Sequence, residues 1–436
     1  NGTSLSPFNS WDTAATNVHD AVALAGSGDT VWVSNGTYRL TNQVAITTNV
    51  TVQSVNGPDV TAIYRDSAFS NRMFVVSNSS ALVAGFTISN AYVNIYGSGQ
   101  AVELYGGKVS NCVVTRCNSY ALGGLQANMV LITGGLFTHG VISSNQSRSR
   151  VVWVGGSGVL SDSTVAMNYT PYDPGSLYLT GGAIVRRCRI FGNNGVGAYI
   201  GENGFGGRME NCWVRGNSGG WGAIRIDSGS MVNCTVASNS APGASGASGV
   251  YRTGSGVLTN CVVFENSAGS PNYGGAAAGA FYSCAPELSA GAQGNVAADP
   301  WLVDAVNGNL RLKTGSPCID AGTNVAGIAD DLDRTSRPLV GAYPGAARFD
   351  MGAYEMDGDA GPLAAGFRGY PVEGTGSVQS VFTAYVSGTN HAVTWYGWDF
   401  NSDGTYELAG PGLETVTNTF GPGRYSVVVR VTNSLG

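Results

Sequence analysis

The chain has 436 residues with a formal net charge of -6, and glycine supplies 65 of them while charged residues make up only 11%, against the ~25% typical of globular proteins. Lysine occurs only at Lys108 and Lys313, so no basic stripe exists for a nucleic acid. The hydrophobic share of 43% is enough to build a core, and no run approaches a membrane-spanning length. In chain order, Asn9-Ser-Trp11 precedes an amphipathic stretch from Thr13 to Ala25, with Ala14, Val18, Ala21 and Val22 on one face. Short β-type runs follow at Val31-Trp-Val33, Val50-Thr-Val52 and Phe74-Val-Val76.

A repeat then sets in. Val109-Ser-Asn-Cys-Val-Val114, Met209-Glu-Asn-Cys-Trp-Val214, Met231-Val-Asn-Cys-Thr-Val236 and Leu258-Thr-Asn-Cys-Val-Val263 share one template. Val185-Arg-Arg-Cys-Arg-Ile190, Phe137-Thr-His-Gly-Val-Ile142 and Leu160-Ser-Asp-Ser-Thr-Val165 are variants of it. The small position falls at 112, 140, 163, 188, 212, 234 and 261, in steps of 22 to 28 residues. Asn recurs further on at Asn145, Asn168, Asn193, Asn217, Asn239 and Asn266. A unit of this size cannot bury its own apolar face, so the spacing predicts stacked coils of a solenoid, roughly ten in all. Recurrent Asn at a corner predicts a left-handed turn and a hydrogen-bonded ladder along the stack.

These motifs resemble the right-handed parallel β-helix, the pectate-lyase-like architecture of secreted bacterial proteins, over residues 1–285. The resemblance implies an all-β fold with an N-terminal cap helix, and it is specific for fold, because lyases, hydrolases, epimerases, adhesins and phage spikes share it. From 286 to 356 the repeat stops. Asp299-Pro-Trp-Leu-Val-Asp304, Gly315-Ser-Pro-Cys-Ile-Asp-Ala-Gly322 and Asp350-Met-Gly-Ala-Tyr-Glu355 are similar to the C-terminal capping segment of choice-of-anchor surface proteins. Residues 357–362 read as a linker. Residues 363–436 resemble a PKD domain, an immunoglobulin-like β-sandwich, through Trp398-Asp-Phe-Asn-Ser-Asp-Gly404 and the alternation of Tyr425, Val427, Val429 and Val431.

Positions one and three after the repeated Cys are expected to face solvent, which brings Arg189 and Phe191 beside Trp213 and Arg215. Aromatic faces with guanidinium groups suit stacking on sugar rings. Arg225 and Arg252, each nine residues before a Cys, are expected to stack on another face. A solvated, stacked surface or a contact for a neighbouring domain competes with both readings. Asp399, Asn401 and Asp403 match the first half of a calcium loop, although its twelfth position is Gly410; the alternative is an ordinary Asp/Asn/Gly turn. His139 replaces a corner Asn, His19 lies on the polar side of the cap, and His391 is expected on a loop of the sandwich. The cysteines at 112, 188, 212, 234 and 261 predict a buried thiol ladder, with Cys112 and Cys117 the exception that a disulfide would join.

The preferred function is an extracellular scaffold or adhesin, secreted or on the cell surface, binding a polysaccharide or surface glycan. The rivals are a lyase or hydrolase acting on an anionic polysaccharide, and a self-associating filament subunit. No pectate-lyase, polygalacturonase or methylesterase constellation is legible within 1–285. The chain opens within what reads as its first coil, so secretion is inferred from architecture rather than from a targeting segment.

Overall fold

A computed structural model describes the chain apart from residues 1–3, 5, 7, 66–71, 94–98, 120–127, 172–174, 203, 220, 242–245, 268–269, 342–345, 358–363, 372, 374–375, 388–392 and 434–436. His391 lies outside the described residues. The chain forms two compact units, one of residues 1–337 with 349–355, the other of 338–348 with 356–436.

The first unit is a right-handed parallel β-helix. Each coil contributes one short strand to each of three parallel sheets, of eleven, ten and ten strands. Sheet 1 runs from Thr30–Val33 to Ala280–Phe281, sheet 2 from Gly36–Leu40 to Val262–Phe264, and sheet 3 from Val44–Ile46 to Tyr273–Gly274. The repeat explains this directly. Its first apolar residue points inward from sheet 1 and its last from sheet 2, as with Met209 and Val214, both wholly buried. Between them the corner residue must turn left-handed, and Asn111, His139, Asp162, Arg187, Asn211, Asn233 and Asn260 all do so with φ near +50°. The small residue that follows packs inside, because the next coil lies directly against it. At Gly140, an added Cβ would come within 2.8 Å of the Cys112 carbonyl oxygen.

The second corner carries the asparagine ladder. Asn145, Asn168, Asn193, Asn217, Asn239 and Asn266 are buried, and each side-chain oxygen accepts the backbone N–H of the residue one coil earlier at 3.0–3.1 Å. Each amide nitrogen donates in turn to the next rung, and the run ends on Asn272. The left-handed residue here is the one before each Asn, such as Met167, Gly216 or Ser238. At the N-terminus, helix α1 (Val18–Leu24) is capped by the Asn17 side chain, which accepts from the Asp20 N–H at 2.8 Å. It is shorter than the amphipathic stretch read from Thr13 to Ala25, because Asn17 diverts its own backbone into an extended conformation.

The cysteine column forms inside the stack. Cys112, Cys188, Cys212, Cys234 and Cys261 are fully buried, and each thiol donates to the carbonyl two residues earlier at 3.2–3.4 Å. Cys112 and Cys117 do not face one another. Their thiols turn to Ser110 and Thr115 carbonyls, and burial pushes them up to about 11 and about 12.

Within 286–356, the expected C-terminal capping segment, residues 299–337 and 349–355 run back along the corner between sheets 1 and 2 as a strap. Arg334 and Arg187 both bind Asp162, and Arg187 also reaches Asp330 at 3.0 Å. Asn211 donates to the Asp330 carbonyl, the Thr235 hydroxyl accepts from Ala353 N–H, and Asn260 exchanges two 2.8 Å bonds with Thr323. The strap therefore touches five successive coils. Burial raises the Asp162 carboxyl, but hydrogen bonds and charge from Arg187 outweigh it and hold the group below the usual carboxylate range.

The second unit contains two three-stranded antiparallel sheets, 364–370, 378–387 and 415–420 in one, 408–410, 393–399 and 428–433 in the other. Their core is Phe382, Tyr396, Trp398, Phe400 and Val416, with Val427, Val429 and Val431 packed against it. Tyr425 precedes the final strand and is exposed, although its ring rests on Phe420.

Candidate functional site

The expected outward cluster on sheet 2 is not a free surface. Arg189 pairs with Asp333 of the strap at 3.0 Å, and Arg215 Nε donates to the Ala305 carbonyl at 2.9 Å and its Nη2 to Val306. Phe191 and Trp213 do stack, at 5.5 Å, but Trp213 is buried rather than solvent-facing. The register was legible, and the covering segment was not: nothing local in the repeat says that residues 299–337 and 349–355 return over it.

The third sheet has a different outer face. Its strands alternate inward apolar residues with one outward residue, as in Val152-Trp-Val154, Leu177-Tyr-Leu179, Ala198-Tyr-Ile200 and Ile224-Arg-Ile226. The parallel register aligns Trp153, Tyr178, Tyr199, Arg225 and Tyr251 in one row. Arg252 is not in this row, for it pairs with Ile226. The turn from sheet 3 to sheet 1 is one residue longer in that coil: Arg225 lies six residues before Met231, Tyr251 seven before Leu258, and those two are register partners. Counting back from the Cys therefore slips by one. Arg252 instead donates to the carbonyls of Gly256 and Ala276.

Residues at the strand ends complete the row. The Arg150 guanidinium lies 3.7 Å from the Tyr178 ring centre and 5.1 Å from that of Trp153, and its Nη2 stands 3.8 Å from Glu202. One coil on, Arg225 covers Tyr199 at 4.6 Å and Trp221 at 5.6 Å and meets Asp227 at 3.4 Å. The same hydrogen bond recurs in both coils, Tyr178 donating to Glu202 and Tyr199 to Asp227. Trp221 stacks on Tyr251, with ring centres 6.4 Å apart and planes within 18° of parallel. Tyr178, Tyr199 and Arg150 are buried, while Trp221 and Phe205 are exposed and Glu202 and Asp227 are partly so.

Two arginines and two carboxylates leave the row without net charge. Burial raises both phenols strongly, and their carboxylate partners add to it. Because the folded state then holds these protons more tightly than the unfolded chain, the stabilisation is complete below pH ~10 and falls as pH rises beyond it. In a spectrophotometric titration Tyr178 and Tyr199 are expected to stay un-ionised above pH ~10 for as long as the protein remains folded. Full ionisation of every tyrosine near pH ~10 in the folded protein would contradict the pairing.

Of the sequence-derived residues only Arg225 belongs to this row. Trp153, Tyr178 and Tyr199 carried a signal, namely an aromatic between two apolar residues one strand before a repeat unit, whereas Tyr251 stands between Val250 and Arg252. Glu202 and Asp227 carried none, because they sit in turns of unequal length.

In the second unit, Asp399, Asp403 and Glu407 come together, with ligand atoms within 4.8 Å of one another. Glu407 stands where the sequence offered nothing beyond Gly410. The donor set is of the kind calcium accepts. Its carboxylates are nevertheless engaged in closing the turn: Asp399 accepts from Asn401 and Gly404 N–H, Asp403 from Thr405 N–H, and Glu407 from Phe400 N–H. Asn401 is bonded to Asp403 by both its side-chain atoms.

No family model matches the chain. No curated protein matches it either. Among solved structures, pectate lyase Pel9A is similar at 15% identity, over 82% of this chain and 95% of that one, with a TM-score of 0.48. A pectin methylesterase in complex with a hexasaccharide is similar at 12% identity, over 55% and 77%, with a TM-score of 0.29. The tailspike protein gp49 from Acinetobacter baumannii bacteriophage Fri1, a capsular polysaccharide depolymerase, is similar at 10% identity, over 93% and 79%, with a TM-score of 0.30. These likenesses carry no argument about chemistry, which rests on the side chains above. No helix among the described residues is long and apolar enough to cross a membrane.

Proposed function

We propose that this protein is an extracellular scaffold or adhesin that binds a polysaccharide chain laid along the third sheet. The observation that carries the reading is the in-register row from Trp153 to Tyr251, flanked by Trp221. Coils repeat every ~4.8 Å, so an extended glycan meets a new rung at each coil. Tyr178 and Tyr199 are buried under Arg150 and Arg225, so the exposed Trp221 and the half-buried Trp153 and Tyr251 are the rings that can stack against the C–H faces of sugars, while Glu202 and Asp227 retain lone pairs for sugar hydroxyls. The balance of charge favours a neutral polysaccharide over a strongly anionic one, since Arg150 and Arg225 already face Glu202 and Asp227. The resemblance of 286–356 to choice-of-anchor proteins and of 363–436 to PKD modules supports a surface location.

Affinity electrophoresis in gels cast with neutral or anionic polysaccharides tests this. Trp221→Ala and Tyr251→Ala are each expected to weaken binding roughly tenfold, about 1.4 kcal/mol. Arg189→Ala, on the strapped face, is expected to leave binding unchanged. Binding that depends on Arg189 and ignores Trp221 would place the glycan elsewhere.

A second reading, a polysaccharide hydrolase or lyase, is favoured by the two partly exposed carboxylates on adjacent coils. The phenols hold their protons, so Glu202 and Asp227 would carry any base role. Release of reducing ends or unsaturated products, abolished by Glu202→Gln or Asp227→Asn while binding persists, would establish it.

A further inference from the structure

We propose that Cys284 and Cys318 form a disulfide when the protein folds in an oxidising compartment, joining the strap covalently to the last coil of the helix. Cys284 does not continue the thiol column. Its neighbour Ser283 does, because the Ser283 hydroxyl accepts the Cys261 N–H at 3.0 Å as Cys212 sulfur accepts that of Cys188 at 3.3 Å. Cys284 therefore faces the other way, and its thiol donates to the Ala298 carbonyl at 3.2 Å. Cys318 arrives at the same place from the strap. Its N–H donates to the Ser316 hydroxyl at 3.1 Å, and that hydroxyl donates to the Pro300 carbonyl at 2.6 Å, two residues from Ala298. Both thiols are wholly buried, and the neighbouring Cys284 thiol pushes that of Cys318 up.

The contrast with the other six cysteines is one of direction. Column thiols project in parallel from successive coils, so adjacent pairs cannot reach the ~90° torsion that a disulfide needs. Cys284 continues sheet 2 beside Val262 but faces outward, and Cys318 belongs to the strap laid over that face rather than to the next coil, so the restriction does not apply to this pair. Oxidation proceeds by exchange with an external disulfide of the glutathione type. One thiolate attacks it and displaces a thiol, and the second thiolate resolves the mixed species. The external S–S bond breaks as the new one forms, two electrons pass to the oxidant, and both cysteine protons are released. Because both sulfurs are buried in the folded chain, the bond forms before the strap has closed.

The test is peptide mapping of the full chain after export to an oxidising compartment and purification without reductant. The protein is unfolded in iodoacetamide and digested. One linked peptide pair is expected, holding Cys284 and Cys318 and lighter by two hydrogens than the sum of its parts, with Cys112, Cys117, Cys188, Cys212, Cys234 and Cys261 alkylated. Alkylation at all eight positions overturns the proposal, as does a bond that includes any of those six. In Cys318→Ser, Cys284 is expected to become alkylated with no new partner. Should that variant fail to fold, the mapping of the unmodified chain still decides.

Discussion

Replacing Arg337 with methionine is expected to destabilise the first unit by about 3–5 kcal/mol, the cost of removing one partner from a buried ion pair. The Arg337 side chain is completely enclosed with Glu355, 3.1 Å from Nη1 to Oε2. It also donates to the carbonyls of Asp350 and Gly352 at 3.1 and 2.9 Å. Asp331, buried nearby, holds the turn around it by accepting from Asp333 and Thr335 N–H and from Glu355 N–H. Methionine fills the volume but leaves Glu355 charged, buried and without this cation. The strap is then expected to loosen, so that Trp213 emission shifts to the red at urea concentrations where the unmodified protein is folded. Arg337→Lys keeps the charge and loses the planar fork, and should fall between the two. A loss below about 1 kcal/mol in urea unfolding would mean that the guanidinium does not hold the strap.

Asn217→Ala is expected to cost about 2–4 kcal/mol, because one substitution orphans several buried groups and each unmet partner costs about 1–3 kcal/mol. The Asn193 N–H and amide both lose their acceptor, at 3.0 and 2.8 Å in the intact ladder, and the Ile190 carbonyl loses its donor at 3.1 Å. Asn239 loses the donor that reaches its side-chain oxygen. Asn217→Asp tests direction, since the carboxylate still accepts but no longer donates along the ladder. Asn266→Ala, at the end of the run, is expected to cost less. Equal losses at Asn217 and Asn266 in denaturant unfolding would show that the ladder acts as separate bonds rather than as a chain.

The repeat made the solenoid legible because its side-chain pattern is local: an inward apolar residue, a left-handed corner, a small residue, an inward β-branched one. Val109, Asn111, Cys112 and Val114 report all of this within six residues. The sheet-3 row was less legible, since turn length varies between coils and a count from Cys234 or Cys261 does not keep register at Arg225 and Arg252. Exposure on sheet 2 was not legible at all. Arg189 and Arg215 look solvated until Asp333 and Ala305 are placed over them, and those residues lie 144 and 90 positions away. Glu202 and Asp227 were invisible for a related reason: tyrosine hydroxyls from the preceding coil give them their role.

The strap also changes how such a molecule comes apart. In a stack of coils each unit touches only its neighbours, so fraying from an end meets no resistance beyond the next interface. Contacts from Asp162 through Asn260 bridge five coils at once, making that stretch open as one cooperative block. Coils before residue 140 have no such splint among the described residues, and their amides should exchange with solvent by progressive opening from the N-terminal end. A polysaccharide pulled along the third sheet would therefore load the part of the helix that yields last, since Trp153 to Tyr251 lie within the splinted coils.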